Sequence, residues 1–470
     1  MTPGTGKEAQ LARLGRLALI AKALSLRASA SWARLCRKLV VLDADYFKFE
    51  VGDFHHHLHR NRAIRKRAVI LRLGPVWCSR SHFGLEARKV VEGLSLPELY
   101  ALEWDGISLL KAFRTRFTGI AGKFDIEDSP LLTREVVAAE MSQAIAIYEA
   151  LKWLLPKLKP DSMLIFQGAY GVSRMLYELG QSLNTRTVAL ETSFMGDRVF
   201  LDGSTGMILN RIGLAQTWRF KYEAQDFASD AGERAFRMWE ESKSKKFSHH
   251  ATSGIETQEA FEAKFGFSLD RPFALLLAQV NIDGTVMLDS PLFPQSVPFL
   301  LKTIEECRQL EIPLVIRFHP RESIKHNDLF PVDPSFHEVL TALGGVVPEN
   351  VCFVSGREVD TFMLVRHARV GITLASQSGL EMALHGKPVV IAAHSYYANK
   401  GFTWDVGHPS ALGVTLEAAW KHADQCHFDA EIQRKAGRLL LDLFDTCMPL
   451  RTVKGSENVI LRQFGRRNHA

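Results

Sequence analysis

Short apolar runs rich in β-branched residues alternate with amphipathic helical stretches along most of this chain, and the alternation occurs twice. The first series predicts strands over 38–43, 68–73, 163–166 and 187–190, with a long helix over 134–155. The second series predicts strands over 273–280, 314–318, 351–354, 370–374 and 389–391. Because this rhythm is typical of βαβ units, we expect an α/β protein with two doubly wound parallel sheets.

The chain has 470 residues, of which 46% are hydrophobic and 23% charged, and this length and composition favour about two globular domains. We predict a basic amphipathic helix over 1–35, a first Rossmann-like domain over 36–257, a second over 258–428 and terminal helices over 429–470. Apolar runs stay well short of the roughly 18 to 20 residues that span a bilayer, which argues against an integral membrane protein.

Six cysteines are scattered without a C-x-x-C pair or zinc-ligand spacing. We therefore expect buried free thiols in a reducing compartment. The N-terminus also lacks the pattern of a secretory signal, so the cytoplasm is the expected location.

Positive charge is concentrated at one end of the chain. Residues 1–72 contain 15 Lys and Arg against 5 Asp and Glu, whereas the whole chain has a net charge of +6. One interpretation, which we favour, is a helix packed on its own domain with a solvated basic face. The other is an amphipathic helix that lies on an anionic membrane surface. Nucleic-acid binding is disfavoured because the basic segment lacks interleaved aromatic residues.

Four histidines lie close together at His55, His56, His57 and His59. Adjacent histidines in a polar loop seldom converge on one ion, and the carboxylate nearby in sequence is Asp53. The sequence therefore predicts no metal site.

Polar residues lie at the carboxyl ends of three predicted strands of the second half. These residues are Gln279 and Asp283; Arg317, His319, Pro320 and Arg321; and Ser376, Gln377 and Ser378. Since open α/β sheets bind ligands at the carboxyl ends of their strands, these positions predict a nucleotide or sugar site.

A helix is predicted to begin near Ser378, and its N-terminus could hold a phosphate. A capping box between Ser378 and Glu381 explains the same residues structurally. His319 between two arginines shifts the balance towards a phosphate. Tyr397 and Lys400, in the loop after strand 389–391, add side chains suited to a nucleotide or sugar.

Several motifs occur in a recognisable order. They are Gln279-Val280 with Asp283, His319-Pro320-Arg321-Glu322, Ser378-Gly379-Leu380-Glu381 with Gly386-Lys387-Pro388, Tyr397-Ala398, and Gly401-Phe402-Thr403. This set resembles the bacterial capsule polysaccharide biosynthesis family, which includes Kdo transferases. The resemblance implies GT-B architecture, in which two Rossmann-like domains face each other across a cleft. It also implies a nucleotide-sugar donor such as CMP-Kdo, a glycan or glycolipid acceptor, and no further cofactor.

By this resemblance His319 and Pro320 would contact the cytidine monophosphate, Ser376 or Ser378 its phosphate, and Glu381 the ribose. The chain departs from the family pattern at two positions. Lys400 stands where a tryptophan is usual, and Gln377 separates the two serines.

The resemblance extends to Phe166-Gln167-Gly168 and to a glutamate after a strand on the acceptor side. The candidate catalytic carboxylates are Glu191, Asp197 and Asp202, which we place in the loop after strand 187–190. Glu191 is preferred as general base or nucleophile because it directly follows the strand. The alternative is an ion pair of Glu191 with Arg186 or Arg198.

The leading hypothesis is a glycosyltransferase that moves a sugar from a nucleotide donor onto a surface glycan. A teichoic-acid-type glycerophosphotransferase is a second possibility, although it would need another histidine site that the sequence does not show. A third is a non-catalytic sugar-binding or scaffold protein of a polysaccharide assembly complex.

Overall fold

The structure, a computed structural model, describes residues 5–44, 48–72, 82–121, 125–192, 198–203, 231–246, 254–280, 283–284, 286, 290–320, 334–356, 358–425, 428–449, 452 and 454–465. These residues form two six-stranded sheets and a small hairpin. The strands are β1 (Leu39–Asp43), β2 (Ala68–Arg72), β3 (Glu103–Trp104), β4 (Ile107–Ser108), β5 (Ser162–Phe166), β6 (Thr187–Thr192), β7 (Arg198–Asp202), β8 (Ala274–Leu277), β9 (Leu314–Arg317), β10 (Val351–Val354), β11 (Val370–Thr373), β12 (Val389–Ile391), β13 (Trp404–Asp405) and β14 (Met448–Pro449).

Helices connect and flank these strands. They are α1 (Thr5–Leu35), α2 (Lys48–Arg60), α3 (Arg62–Arg67), α4 (His82–Val91), α5 (Leu96–Tyr100), α6 (Leu109–Ala121), α7 (Arg134–Leu158), α8 (Gly171–Ser182), α9 (Ala231–Lys246), α10 (Gln258–Phe265), α11 (Ser296–Gln309), α12 (Pro334–Ala342), α13 (Thr361–His367), α14 (Ser378–Leu384), α15 (Leu412–Gln425), α16 (Ala430–Thr446) and α17 (Glu457–Phe464).

Each sheet is wound outwards from its first strand. The first has the order β14-β7-β6-β5-β1-β2, and the second has the order β10-β9-β8-β11-β12-β13. All neighbours in the second sheet are parallel, as are β6, β5, β1 and β2 in the first. The strand order reverses between β1 and β5 and again between β8 and β11, and such switch points open the crevices where α/β sheets bind ligands. The predicted fold class, two doubly wound Rossmann-like sheets in the GT-B manner, is confirmed.

The predicted elements agree with the structure to within a few residues. Helix α7, for example, begins at Arg134 as predicted, where the Thr133 side chain accepts a hydrogen bond from the Val136 N–H. It ends at Lys159, which has a left-handed φ of 46°. Strands β3, β4, β7, β13 and β14 were not predicted. Four of them have only two residues, which is too short for a recognisable apolar run, and β7 pairs antiparallel with β6 outside the predicted βαβ rhythm.

The C-terminal segment leaves the second sheet and returns to the first. Strand β14 pairs antiparallel with β7. Helix α17 buries Ile460, Leu461 and Phe464 in the same apolar cluster as Phe54 and Leu58 of α2. The terminal helices therefore join the two sheets. The domain boundaries given above remain predictions.

Helix α1 has two apolar faces. Ala23, Leu26, Ala30 and Ala33 are buried against the first sheet and its helices, which confirms the packing interpretation of the N-terminus. On other faces Leu17, Leu24, Trp32 and Leu35 have exposures between 54% and 84%. Packing therefore accounts for only part of the apolar surface of this helix.

Two details of the sequence analysis are corrected. Cys36 is exposed rather than buried, whereas Cys307, Cys352 and Cys447 are buried free thiols as expected. The four histidines lie on helix α2 and not in a loop. Within the described part of the chain, no helix has the length and apolarity to cross a membrane.

Candidate active site

The carboxyl ends of β9, β8 and β11 lie side by side in the second sheet, because these strands are neighbours in that order. His319 follows β9, Gln279 follows β8, and Ser376 follows β11. Adjacent strands are about 4.8 Å apart, so the ends of β9 and β11 lie about 10 Å apart on either side of β8. We call this edge the donor edge. It coincides with the switch point of the sheet.

Gln279 connects the two strands at the switch point. Its buried side chain accepts a hydrogen bond from the Ala375 N–H at 2.7 Å and donates one to Asp283 Oδ2 at 3.3 Å. Its own carbonyl accepts a hydrogen bond from the Ser296 hydroxyl at 3.3 Å. Gln279 and Asp283 therefore stabilise the donor edge through these hydrogen bonds.

The turn after β11 is held by hydrogen bonds from both ends. The Ser376 N–H donates to Thr373 Oγ1 at 3.2 Å, and the Ser378 N–H donates to Ser376 Oγ at 3.3 Å. Tyr397 lies fully buried beneath this turn, and its hydroxyl donates to the Ser376 carbonyl. The Ser378 hydroxyl is buried and has no hydrogen-bond partner among the described residues.

Helix α14 does not begin with the predicted capping box. Its N-cap is Gln377, which has helical dihedral angles and makes no side-chain cap. The Ser378 hydroxyl is consequently not used to cap the helix. Glu381 lies in the first turn, with Oε1 3.5 Å from Gln377 Nε2.

A buried arginine supplies positive charge under the donor edge. Arg317 is 6% exposed, and its Nη2 donates to the Gly356 carbonyl at 2.6 Å. Burial lowers the pKa of Arg317 to about 10, while the charges of Asp360 and Glu381 raise it. The guanidinium thus stays protonated at neutral pH, and it interacts electrostatically with Glu381.

His319 and Pro320 are half-buried and are fixed by a close backbone contact. A Cβ atom added to Gly356 would lie 2.4 Å from Pro320 N and 2.6 Å from His319 C. Only glycine fits at this position without a backbone shift. The strand end that presents His319 is therefore held against Gly356.

Of two further predicted donor residues, one is buried and the other lies outside the described residues. Lys400 is only 7% exposed. Burial raises the pKa of Asp405, and the positive charge of Lys400 partly opposes this increase. Arg321 lies outside the described residues. The direct roles of both residues in donor binding remain predictions.

On the first sheet, Glu191 lies within β6, which runs to Thr192, rather than in a loop. Gln167 Nε2 donates to Glu191 Oε1 at 2.7 Å. Gln167 has a left-handed φ of 57°, so the backbone turn after β5 directs its side chain to the neighbouring strand. Its other amide atom, Oε1, is buried without a hydrogen-bond partner in the described part of the chain. The sequence analysis did not select Gln167, although its position before Gly168 at a strand end is the signal that could have found it.

Asp202 differs from Glu191 in position. Asp202 ends strand β7 and pairs with Ala189, whereas Glu191 pairs with Phe200. Because β7 is antiparallel, Asp202 lies further from the carboxyl edge than Glu191 does. It is therefore not a loop residue, contrary to the prediction. Asp197 lies outside the described residues.

We expect Gly356→Ala to displace the His319–Pro320 backbone and to lower the free energy of unfolding by about 1 to 3 kcal/mol, the usual cost of overpacking. Chemical denaturation would measure this loss. Gly407→Ala is the matched control, since a Cβ atom there meets nothing within 4 Å. Equal stability of the two variants would contradict the tight contact.

Residues 232–434 match the family model described as capsule polysaccharide biosynthesis protein. No curated protein matches the chain. A solved beta Kdo 2,7 transferase, KpsC of Thermosulfurimonas dismutans, is 16% identical, with 67% of this chain and 88% of that chain covered and a TM-score of 0.37.

Two more solved structures are similar. The beta Kdo 2,4 transferase of the same KpsC is 17% identical, with 55% of this chain and 79% of that chain covered and a TM-score of 0.38. UDP-GlcNAc 2-epimerase of Methanocaldococcus jannaschii is 10% identical, with 86% and 98% covered and a TM-score of 0.32. The family match includes β8 to β13 and the donor edge. Residues 232–434 are thus similar to the capsule polysaccharide biosynthesis family, the family that the motifs indicated.

Proposed function

We propose that the protein is a glycosyltransferase of capsule or other surface polysaccharide synthesis, which transfers a sugar from a nucleotide donor to a glycan or glycolipid acceptor. One observation carries the proposal. The motifs of the family segment converge at the donor edge, where three strands end at the switch point of one sheet. Such a crevice is the usual nucleotide site of this sheet type.

The donor edge offers groups that can stabilise a leaving phosphate. As the bond between sugar and phosphate breaks, negative charge grows on the phosphate oxygens. The imidazole of His319 and the unpartnered hydroxyl of Ser378 can donate hydrogen bonds to them. The buried charge of Arg317 favours the same anion through space. Helix α14 has only seven residues, so we assign the anion contact to these side chains rather than to its dipole.

The family resemblance makes a CMP-activated acidic sugar such as Kdo the preferred donor. In this proposal His319 and Pro320 contact the cytidine monophosphate, and Glu381 lies close enough to Arg317 for the two charges to interact while it binds the ribose. Tyr397 and Gln279 act by positioning the Ser376 turn, as their hydrogen bonds indicate. The donor itself supplies the reactive group, so the transfer needs no further cofactor.

Glu191 is the proposed catalytic carboxylate on the acceptor side. The hydrogen bond from Gln167 orients the carboxylate at the carboxyl edge of the first sheet. From there it can accept a proton from the acceptor hydroxyl, or form a bond to the anomeric carbon as a nucleophile. The carboxylate form is required in both mechanisms. Gln167 is accordingly a positioning residue.

CMP is expected to raise the melting temperature of the full-length protein more than UDP or GDP does, because a ligand that binds only the folded state stabilises it. His319→Ala should weaken CMP binding by on the order of 1 to 3 kcal/mol, the range for a hydrogen bond to a charged group. A thermal-shift titration measures both effects. His337→Ala, which alters an exposed histidine of α12, is the control. Unchanged CMP affinity in His319→Ala would reject the donor assignment.

Glu191→Gln should bind CMP like the parent protein but lose at least about a hundredfold in transfer rate, the lower end of what loss of a general base costs. The substitution keeps the size of the side chain and removes its negative charge. Transfer rates at saturating donor would measure the loss. Glu178→Gln, on the half-exposed α8 pair with Arg174, is the control. A near-normal transfer rate in Glu191→Gln would show that Glu191 is not the catalytic carboxylate. Loss of CMP binding in this variant would place Glu191 on the donor side.

We also propose that helix α1 rests on an anionic membrane surface. Leu17, Leu24 and Leu35 are spaced by 7 and 11 residues, and at about 100° per residue they form one exposed line along the helix. Arg27 is exposed on the same helix, whereas the guanidinium of Arg34 donates to the Leu158 and Lys159 carbonyls. An apolar line with an adjacent basic side chain complements the interface of anionic lipids.

Leu24→Glu combined with Leu35→Glu should therefore reduce sedimentation with phosphatidylglycerol-containing vesicles, and higher salt should do the same. Higher salt weakens the attraction between basic side chains and anionic lipids, because ions screen it over roughly 8 Å at physiological ionic strength. Because both leucines are exposed, the double variant should keep the parent's melting temperature. Vesicle binding that neither change affects would show that α1 has no role in membrane association.

A further inference from the structure

A carboxylate and two imidazoles meet at the edge of the first sheet. Asp43 is the last residue of β1, and His55 and His59 project from α2. Asp43 Oδ2 lies 3.3 Å from His55 Nδ1 and 3.0 Å from His59 Nε2. One ligand atom from each of the three residues lies within 4.8 Å of the others. We call these residues the β1–α2 cluster.

The helix explains why these two histidines converge while their neighbours do not. His55 and His59 are four residues apart, so they lie on one face of α2. His56 is exposed, and its ring contacts the ring of His57 at a centroid distance of 5.6 Å. The carboxylate comes from the strand before the helix and not from Asp53. Sequence spacing alone therefore could not identify the cluster.

The side chains of the β1–α2 cluster are largely buried, so the charge of Asp43 needs compensation. The side chains of Asp43 and His55 are 0% and 5% exposed, and that of His59 is 28% exposed. A buried carboxylate is costly unless positive charge compensates it. Protonated histidine could provide this charge, and so could a metal ion.

The geometry favours a metal ion. Two imidazole nitrogens and a carboxylate oxygen are the donor atoms that Zn²⁺ and similar ions prefer, whereas Mg²⁺ and Ca²⁺ prefer oxygen alone. In a tetrahedral site with bonds of about 2.0 to 2.1 Å, ligand atoms are about 3.3 Å apart. The two distances to Asp43 Oδ2 are close to that value, and the two imidazole nitrogens lie within 4.8 Å of each other.

We propose that the β1–α2 cluster binds one divalent transition metal ion, with Zn²⁺ as the probe. Three protein ligands would leave a coordination position for water or for an oxygen of a bound molecule. This inference does not depend on the proposed transferase activity.

The β1–α2 cluster lies at a switch point of the first sheet, where α/β sheets commonly bind ligands. Asp43 lies at the switch point between β1 and β5, and the Ala44 N–H donates to the Leu164 carbonyl of β5. Strand β6, which carries Glu191, is the next neighbour of β5. Asp43 is level with Leu164 of β5 and Val188 of β6, so Glu191 lies three residues further along β6. The metal would therefore lie about two strand spacings, or about 10 Å, to the side of Glu191 and about 10 Å before it along the strand.

The test uses the full-length protein, treated with EDTA and dialysed, and titrated with Zn²⁺ by calorimetry. We expect one Zn²⁺ per chain. His59→Gln should weaken binding at least about tenfold, the lower limit seen for residues that only support a metal ligand. His56→Gln, on the same helix but outside the cluster, should bind like the parent. His59 is the residue of choice because its partial exposure makes loss of folding less of a concern.

A second measurement covers the case in which His59→Gln does not fold. Co²⁺ added to the metal-free parent should give visible ligand-field absorption of the strength of a four- or five-coordinate site, and one equivalent of Zn²⁺ should abolish it. Lack of that absorption, lack of Zn²⁺ binding by the parent, or equal Zn²⁺ affinity in His59→Gln and His56→Gln would each overturn the proposal. Any of these results would identify the cluster as a metal-free histidine–carboxylate network.

Discussion

The donor edge depends on one buried amide. Gln279 follows β8, but its side chain accepts the Ala375 N–H beyond β11, and so it joins the two strands at the point where the sheet order reverses. Without it a buried N–H would lose its partner, at a cost of about 1 to 3 kcal/mol. The Ser376 turn would also lose its anchor. Since Ser378 is presented by that turn, the geometry of the proposed phosphate contact follows from this hydrogen bond.

The two sheets carry different groups, and the chain joins them. A carboxylate oriented by Gln167 lies on the first sheet, and a histidine, a serine and a buried arginine lie on the second. Helix α6 approaches the second sheet where a Cβ atom on Gly284 would lie 2.8 Å from Thr115 Cγ2. The return of the C-terminal segment to β7 provides a second connection. Donor binding and acceptor chemistry are thus assigned to separate parts of one molecule.

Much of the fold could be predicted from the sequence, because buried parallel strands are continuous apolar runs and the helices between them are amphipathic. The order of the family motifs likewise predicted the donor edge. Contacts between residues distant in sequence could not be predicted in this way. Gln167 reaches Glu191 only through a left-handed turn, and Asp43 meets His59 only once α2 folds back over β1. The prediction of a capping box at Ser378 was wrong, because the N-cap of α14 is Gln377, which has a helical conformation.

The central claim is that donor cleavage occurs in this protein and depends on an acceptor. The most direct test is to measure release of free CMP from CMP-Kdo by the full-length protein, with and without a lipid-linked glycan acceptor. The account predicts CMP release in step with glycan extension, and little release without the acceptor. Binding of CMP-Kdo without acceptor-dependent release of CMP would contradict it and would favour a non-catalytic sugar-binding protein.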